Sequence, residues 1–311
     1  MKHRHLFFGI VLFVLAIPAT AQQDTVGIDS TYLAEIIQFY KEAYAKDSLL
    51  NYQHGFIELG DGIANINLGE SFKYLDPEEA NKIIVEAWGN PPQQTLGMIF
   101  PDSVNPYLPE GWGIILAYDA EGYIEDDDAN DIDYDEMLVD MKAQAAESSK
   151  LRKEQGYDGY AVVGWAESPY YDQESKKLYW AKELAFDGSD INTLNYDIRV
   201  LGRSGYLRLN AVAGMDQLEM VKPAMQDLLT KVEFAEGHTY FDFDPGVDKV
   251  AAYGVGALVA GKIAAKAGIL KMIGIFLAKF WKFILMGIVG VGAFAKKMWT
   301  GKEKRELGED S

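Results

Sequence analysis

The chain has 311 residues, 49% of them hydrophobic, which is enough for one or two packed domains and too apolar for a disordered chain. It contains no cysteine, which removes disulfides, thiol catalysis, zinc–thiolate sites and iron–sulfur clusters together. A formal charge of −18 argues against nucleic acid as a partner.

Lys2 and Arg4 open the chain, and residues 6–17 form an apolar run too short to span a bilayer. Pro18 and the small-x-small triplet Ala19-Thr20-Ala21 follow, the pattern of a secretory signal peptide cleaved after Ala21. An exported chain without cysteine suits a bacterial envelope. His3 and His5 fall in this expected leader. His54 and His238 remain, each beside a glycine, and read as ordinary surface or capping residues.

Residues 30–50 carry Leu33, Ile36, Ile37, Tyr40 and Tyr44 on one helical face. Residues 56–59 and 63–68 read as a hairpin around Gly60-Asp61-Gly62. A short strand over 72–75 precedes a helix capped by Asp76, with Pro77 in its first turn, that runs to about Trp88. Strands are expected at 95–100 and 112–118, joined by a Pro-rich surface loop. An acidic stretch, 121–140, leads into a helix over about 134–153. Four strands follow, at 159–167, 177–186, 195–201 and 206–212. The turns between the last three are short, so they form an antiparallel meander, because parallel strands need a long crossover. A helix over about 216–231 places Leu218, Val221, Met225, Leu228 and Val232 in register. The expected fold class is therefore α+β, a mainly antiparallel sheet flanked by about four helices, followed by a C-terminal transmembrane helical region.

From Val250 to Ala295 the sequence is apolar but interrupted by lysines. Ala252, Gly256, Ala260 and Ala264 recur every four residues, a ribbon that would let membrane helices approach closely. Residues 269–295 would form a helix about 40 Å long, more than the ~30 Å of bilayer hydrocarbon. Lys271, Lys279, Lys282 and Lys297 fall within about 80° of one another on it, a basic stripe that must snorkel, meet a partner or line water. Residues 249–311 hold eleven Lys/Arg against four Asp/Glu, a net of +7, whereas residues 22–248 carry −27. Positive charge at the tail favours a cytoplasmic C-terminus, and a two-helix hairpin is the alternative topology. The expected organisation is a signal peptide over 1–21, a periplasmic acidic domain over 22–248, an anchoring region over 249–297 and a charged tail over 298–311.

Many short words in one order carry a family resemblance. They are Leu59-Gly60-Asp61-Gly62, Trp88-Gly89-Asn90-Pro91-Pro92, Leu96-Gly97-Met98, Gly111-Trp112-Gly113, Ile132-Asp133-Tyr134-Asp135, Gly164-Trp165-Ala166-Glu167, Leu178-Tyr179-Trp180-Ala181-Lys182-Glu183, Leu194-Asn195-Tyr196-Asp197-Ile198-Arg199-Val200-Leu201-Gly202 and Asp248-Lys249-Val250-Ala251. Over about 50–297 the chain resembles the bacterial uncharacterised membrane-anchored proteins described as domain of unknown function 2167. The resemblance implies a periplasmic domain tethered to the inner membrane, without an established activity or catalytic residues to carry over. Residues 194–234 also resemble the end of the Mog1/PsbP-like α/β/α sandwich, which usually serves as a binding or assembly accessory.

Asp126, Asp128 and Asn130 imitate the first ligands of a calcium loop, but Asp131 replaces the required Gly and Met137 the closing Glu. Asp242, Asp244 and Asp248 repeat the spacing around a Pro-Gly turn. Both runs read as solvated loops, and no metal or cofactor is expected. Trp165, Glu167, Tyr170, Tyr171, Tyr179, Trp180 and Glu183 form an aromatic–acidic group on two adjacent strands, suited to a ligand or partner surface. Simple alternation puts Trp165 with Glu167 on one face, and Tyr179 with Glu183. The leading expectation is a non-enzymatic binding or assembly module of the envelope, in contact with inner-membrane lipid. It would engage another envelope protein, itself, or a cationic or neutral ligand. One alternative is an envelope hydrolase on sugar or peptide that pairs Glu167 with Glu183. The other is an oligomeric membrane pathway lined by the lysine stripe.

Overall fold

A computed structural model describes residues 30–256, apart from 131, together with 258. The chain divides into a unit over Met1–Val259 and a unit over Ala260–Ser311, and all described residues belong to the first. The expected signal peptide over 1–21, Ala260, Ala264, Lys271, Lys279, Lys282, Lys297 and the expected tail over 298–311 lie outside the described residues. Among the described residues, no helix is long and apolar enough to cross a membrane.

The architecture is α+β, as the alternation of strand and helix patterns predicts. After helix α1 (Ser30–Asp47), strands β1 (Phe56–Leu59) and β2 (Ala64–Asn67) form the expected hairpin. Strand β10 (Val232–Phe234) joins β2 to make a three-stranded sheet. The main sheet holds β3 (Phe72–Leu75), β4 (Gly97–Pro101), β5 (Gly113–Asp119), β6 (Tyr160–Asp172), β7 (Lys177–Phe186), β8 (Thr193–Gly202) and β9 (Gly205–Gly214). Its order is β3-β4-β5-β9-β8-β7-β6, and every neighbouring pair is antiparallel. The meander β7–β8–β9 is the one its short turns demand. Gly205, at φ 154°, makes the tightest of them: a Cβ there would run into the backbone carbonyl of Asp119 on β5.

Helix α2 (Pro77–Lys82) starts where Asp76 accepts the backbone N–H groups of Glu78 and Glu79, both at 3.0 Å. It continues as a π-helical turn, Ile83–Ala87, closed by Trp88. Helix α3 (Tyr134–Glu154) is capped in the same way by Asp133. Helix α4 (Leu218–Leu229) follows a short 3₁₀ turn over Met215–Gln217.

The two faces of the main sheet are covered differently. On the front face, Val221, Met225, Leu228 and Leu229 of α4 bury against Leu194, Ile198, Leu209 and their neighbours, joined by Ile57, Leu59 and Ile66 of the small sheet. Each such side chain contributes about 1.5–3 kcal/mol. On the back face, α2 and its π turn cover β3 and β4 through Ile83, Ile84, Met98 and Phe100. At the far edge α3 lies over β6, and Trp180, Tyr206, Ile124 and Tyr240 form a further cluster.

The folded unit extends beyond the expected boundary at residue 248. The Tyr123 N–H donates to the Lys249 carbonyl and the Ala251 N–H to the Tyr123 carbonyl, both at 2.8 Å. Val255 is fully buried and Leu258 nearly so, both within the back-face cluster. This corrects the small-residue ribbon at its start. Residues 249–251 are held extended beside Tyr123, so Ala252 sits in an exposed bend and helix begins only at Gly256.

Candidate functional site

Strands β8 and β9 alternate apolar and polar residues. Leu194, Tyr196, Ile198 and Val200 face the α4 core, so Asn195, Asp197 and Arg199 must face the back. Across β9, β8 and β7 on that face, Arg208 stands beside Arg199 and Leu178. Asn210 stands beside Asp197 and Trp180, and Val212 beside Asn195 and Lys182. The middle of the sheet is thus floored by ionised side chains between the helices at its two sides.

Asp197 is 3% exposed and Arg199 8%. Arg199 Nη1 donates to Asp197 Oδ1 at 3.0 Å, and Lys182 Nζ lies 3.5 Å from Asp197 Oδ2. Burial alone would raise the Asp197 carboxyl, but Arg199, then Lys182, then Arg208 hold it below the ordinary carboxylate value. Arg199 is pushed down by burial, Asp197 draws it back up, and the facing Arg208 pushes it down again. The Arg199 guanidinium also lies over Trp180, 4.7 Å from the ring centroid. Asn195 and Asn210 exchange amide hydrogen bonds of 3.2 and 3.1 Å.

The floor is not closed electrostatically. Among the described residues Arg208 makes no hydrogen bond, and its nearest carboxylate oxygen is Asp119 Oδ2 at 4.0 Å. Burial, followed by the charge of the nearby Asp119 carboxylate, pushes the Tyr206 hydroxyl up to about 12. The buried Arg199 Nε–H and Trp180 Nε1–H have no acceptor among the described residues. Among the described residues, the three cations Arg199, Arg208 and Lys182 thus meet the two carboxylates Asp197 and Asp119 here, an excess of positive charge in a strongly acidic domain. Depressions of about 360 Å³ at Lys176 and Phe234 and of about 560 Å³ at Asp133 and Trp165 lie beside other residues, and solvent reaches the floor itself at Arg208, whose side chain is 34% exposed.

A second polar centre ties the C-terminal part of the unit down. Asp126 accepts from Lys176 Nζ at 2.7 Å, Tyr171 Oη at 2.8 Å and Tyr240 Oη at 3.1 Å. Burial opposes its ionisation, but Lys176 and the two tyrosines win and hold its carboxyl below the usual value. Both Asp126 oxygens thus serve protein donors, so its place in the calcium-like spacing is structural. Arg203, in the β8–β9 turn, grips Asp248 with two bonds of 2.7 and 3.0 Å. Asp248 also accepts the Asp244 backbone N–H.

The expected aromatic–acidic surface divides between two faces. The register of β6 against β7 slips between Trp165 and Glu167, so Trp165 pairs with Lys182 and Glu167 with Ala181. This bulge puts Trp165 in the back cluster and Glu167 on the α4 side, against simple alternation. Tyr171 and Trp180 also belong to the back. Tyr170 and Tyr179 stack at 6.2 Å towards the α4 side, where Glu183 also points. Glu167 is paired with Lys222 of α4, and Glu183 accepts from Asn192. Asp197, Arg199 and Arg208 escaped the residue-by-residue reading, although the polar phase of Asn195, Asp197 and Arg199 was visible. What the pattern lacks is the strand order that puts Arg208 opposite Arg199 in mid-sheet.

A family model described as a protein of unknown function, DUF2167, matches residues 51–290. The chain belongs to that family. The DUF2167 match spans both the Lys182 and the Asp197–Arg199 strands of the floor. No curated protein matches the chain. Among solved structures, it is similar to the cyanobacterial PsbP (CyanoP) of Synechocystis sp. PCC 6803, with 9% identity and a TM-score of 0.31, covering 59% of this chain and 92% of that one. It is also similar to the Saccharomyces cerevisiae Ran-binding protein Mog1p, with 10% identity and a TM-score of 0.30, covering 59% and 95%. Similarity this distant transfers no partner or activity.

Proposed function

We propose that this DUF2167 protein is an exported, membrane-tethered module of the bacterial envelope that acts by binding, with the charged floor of its sheet as the contact surface. The observation that carries the tether is the way the fold runs into the apolar C-terminal sequence. Val255 and Leu258 belong to the core, while Arg203 and Asp248 clamp the segment just before them. The reading as a non-enzymatic module is supported by the commitment of Glu167 to Lys222 and of Glu183 to Asn192.

The test is protease accessibility in spheroplasts compared with inverted vesicles, with antibodies against the acidic domain and the tail. The domain should be cut in spheroplasts and protected in inverted vesicles, and the tail should behave oppositely. Recovery of the uncleaved chain in the soluble cytosolic fraction would overturn the reading.

A further inference from the structure

Like charges placed directly opposite each other on neighbouring strands destabilise a sheet. Arg199 and Arg208 are such a pair, one of them almost fully buried. Asp197 serves Arg199 and Lys182, and Asp119 reaches Arg208 only at 4.0 Å. Among the described residues the Arg208 fork makes no hydrogen bond, and 34% of its side chain is in solvent, so it is accessible from outside. Behind it, Arg199 Nε and Trp180 Nε1 are buried donors without an acceptor among the described residues. Lys182 supplies a third cation within the same patch. Repelling guanidiniums, unspent donors and an open approach together describe a receptor for negative charge.

We propose that the back-face floor binds a compact oxyanion, a carboxylate or phosphate group, held by the planar fork of Arg208 with Lys182 and Arg199 adding charge. Arginine suits this role because its fork matches two oxygens of one group. The net charge of the domain points towards cationic or neutral ligands, but the excess of one positive charge among the described residues of this face sets its sign. The oxyanion relieves the Arg199–Arg208 repulsion, so binding and stability are coupled. The proposal rests on the floor being the contact surface and is independent of export and tethering.

The experiment is calorimetric titration of the purified full chain in neutral detergent at constant ionic strength. The probes are inorganic phosphate, N-acetylglycine and, as the uncharged control, N-acetylglycinamide. At least one oxyanion should bind while the amide does not, and R208Q should weaken that binding at least tenfold. Which probe binds tells whether the group is a phosphate or a carboxylate. R208K, which keeps the charge but loses the fork, should weaken binding several-fold and decides the matter if R208Q does not fold. The proposal fails if neither oxyanion binds at about 10 mM, or if both variants bind as the parent does. Such a failure leaves the topology result untouched, and a failed topology leaves this one untouched.

Discussion

Two neighbours on β9 show how differently the faces of the sheet are built. Leu209 points into the front core and is fully buried beneath α4. Arg208, one residue earlier, points to the back and faces another arginine across the strand gap. The front follows the rules of stability, with apolar side chains closed under a helix and a second sheet. The back departs from them by placing Arg199, Arg208 and Lys182 with Asp197 and Asp119 in the middle of the sheet, mostly buried and reached by water at Arg208. Local violations of otherwise consistent packing are expected where a protein binds something.

The largest effect that tests this contrast is D197N. It removes the carboxylate that compensates Arg199 and Lys182, and should cost about 3–5 kcal/mol in urea unfolding, as breaking a buried ion pair does. A loss below about 1 kcal/mol would show that the floor is more hydrated than its burial implies. Acidification should act in the same direction. Asp126 and Asp197 are both held below their ordinary values. Their stabilisation is therefore complete above the unfolded carboxyl value near pH ~4 and is lost as pH falls through the folded values. The melting temperature should be flat from pH 7 to about 5 and drop below about 4, less steeply in D126N. A decline already present between pH 7 and 6 would contradict this assignment.

Smaller effects sharpen the picture. R203A should release the segment around Asp248 and speed proteolysis within residues 242–250, while leaving the sheet intact by circular dichroism. E167Q should change stability by less than about 1 kcal/mol, because its Lys222 pair is partly exposed. A large loss there would mean that the α4 side depends on the pair more than on its apolar contacts.

Much of this was legible in the sequence. The caps at Asp76, the β7–β8–β9 meander and the apolar face of α4 each follow from local spacing, and local spacing is what a sequence displays. The β5–β9 pairing is not local, so nothing in either strand announces that Arg208 stands in mid-sheet. The register of β6 slips three times, around Gly164 and before Pro169, and these residues mark bulges only once one strand is known to run through both; the slip after Trp165 separates it from Glu167. The continuation of the fold past residue 248 is hidden for a related reason. Residues 249–258 are as apolar as an anchor, and only the pairing with Tyr123 shows that they belong to the fold.

The most direct test compares the two neighbours in one experiment, urea unfolding of L209A and R208Q without added oxyanion. A division of labour between the faces predicts a loss of about 2–5 kcal/mol for L209A and no loss beyond about 0.5 kcal/mol for R208Q, with a gain if the repulsion with Arg199 dominates. Equal destabilisation by both substitutions would contradict it, since the charged floor would then be holding the fold together as the front face does.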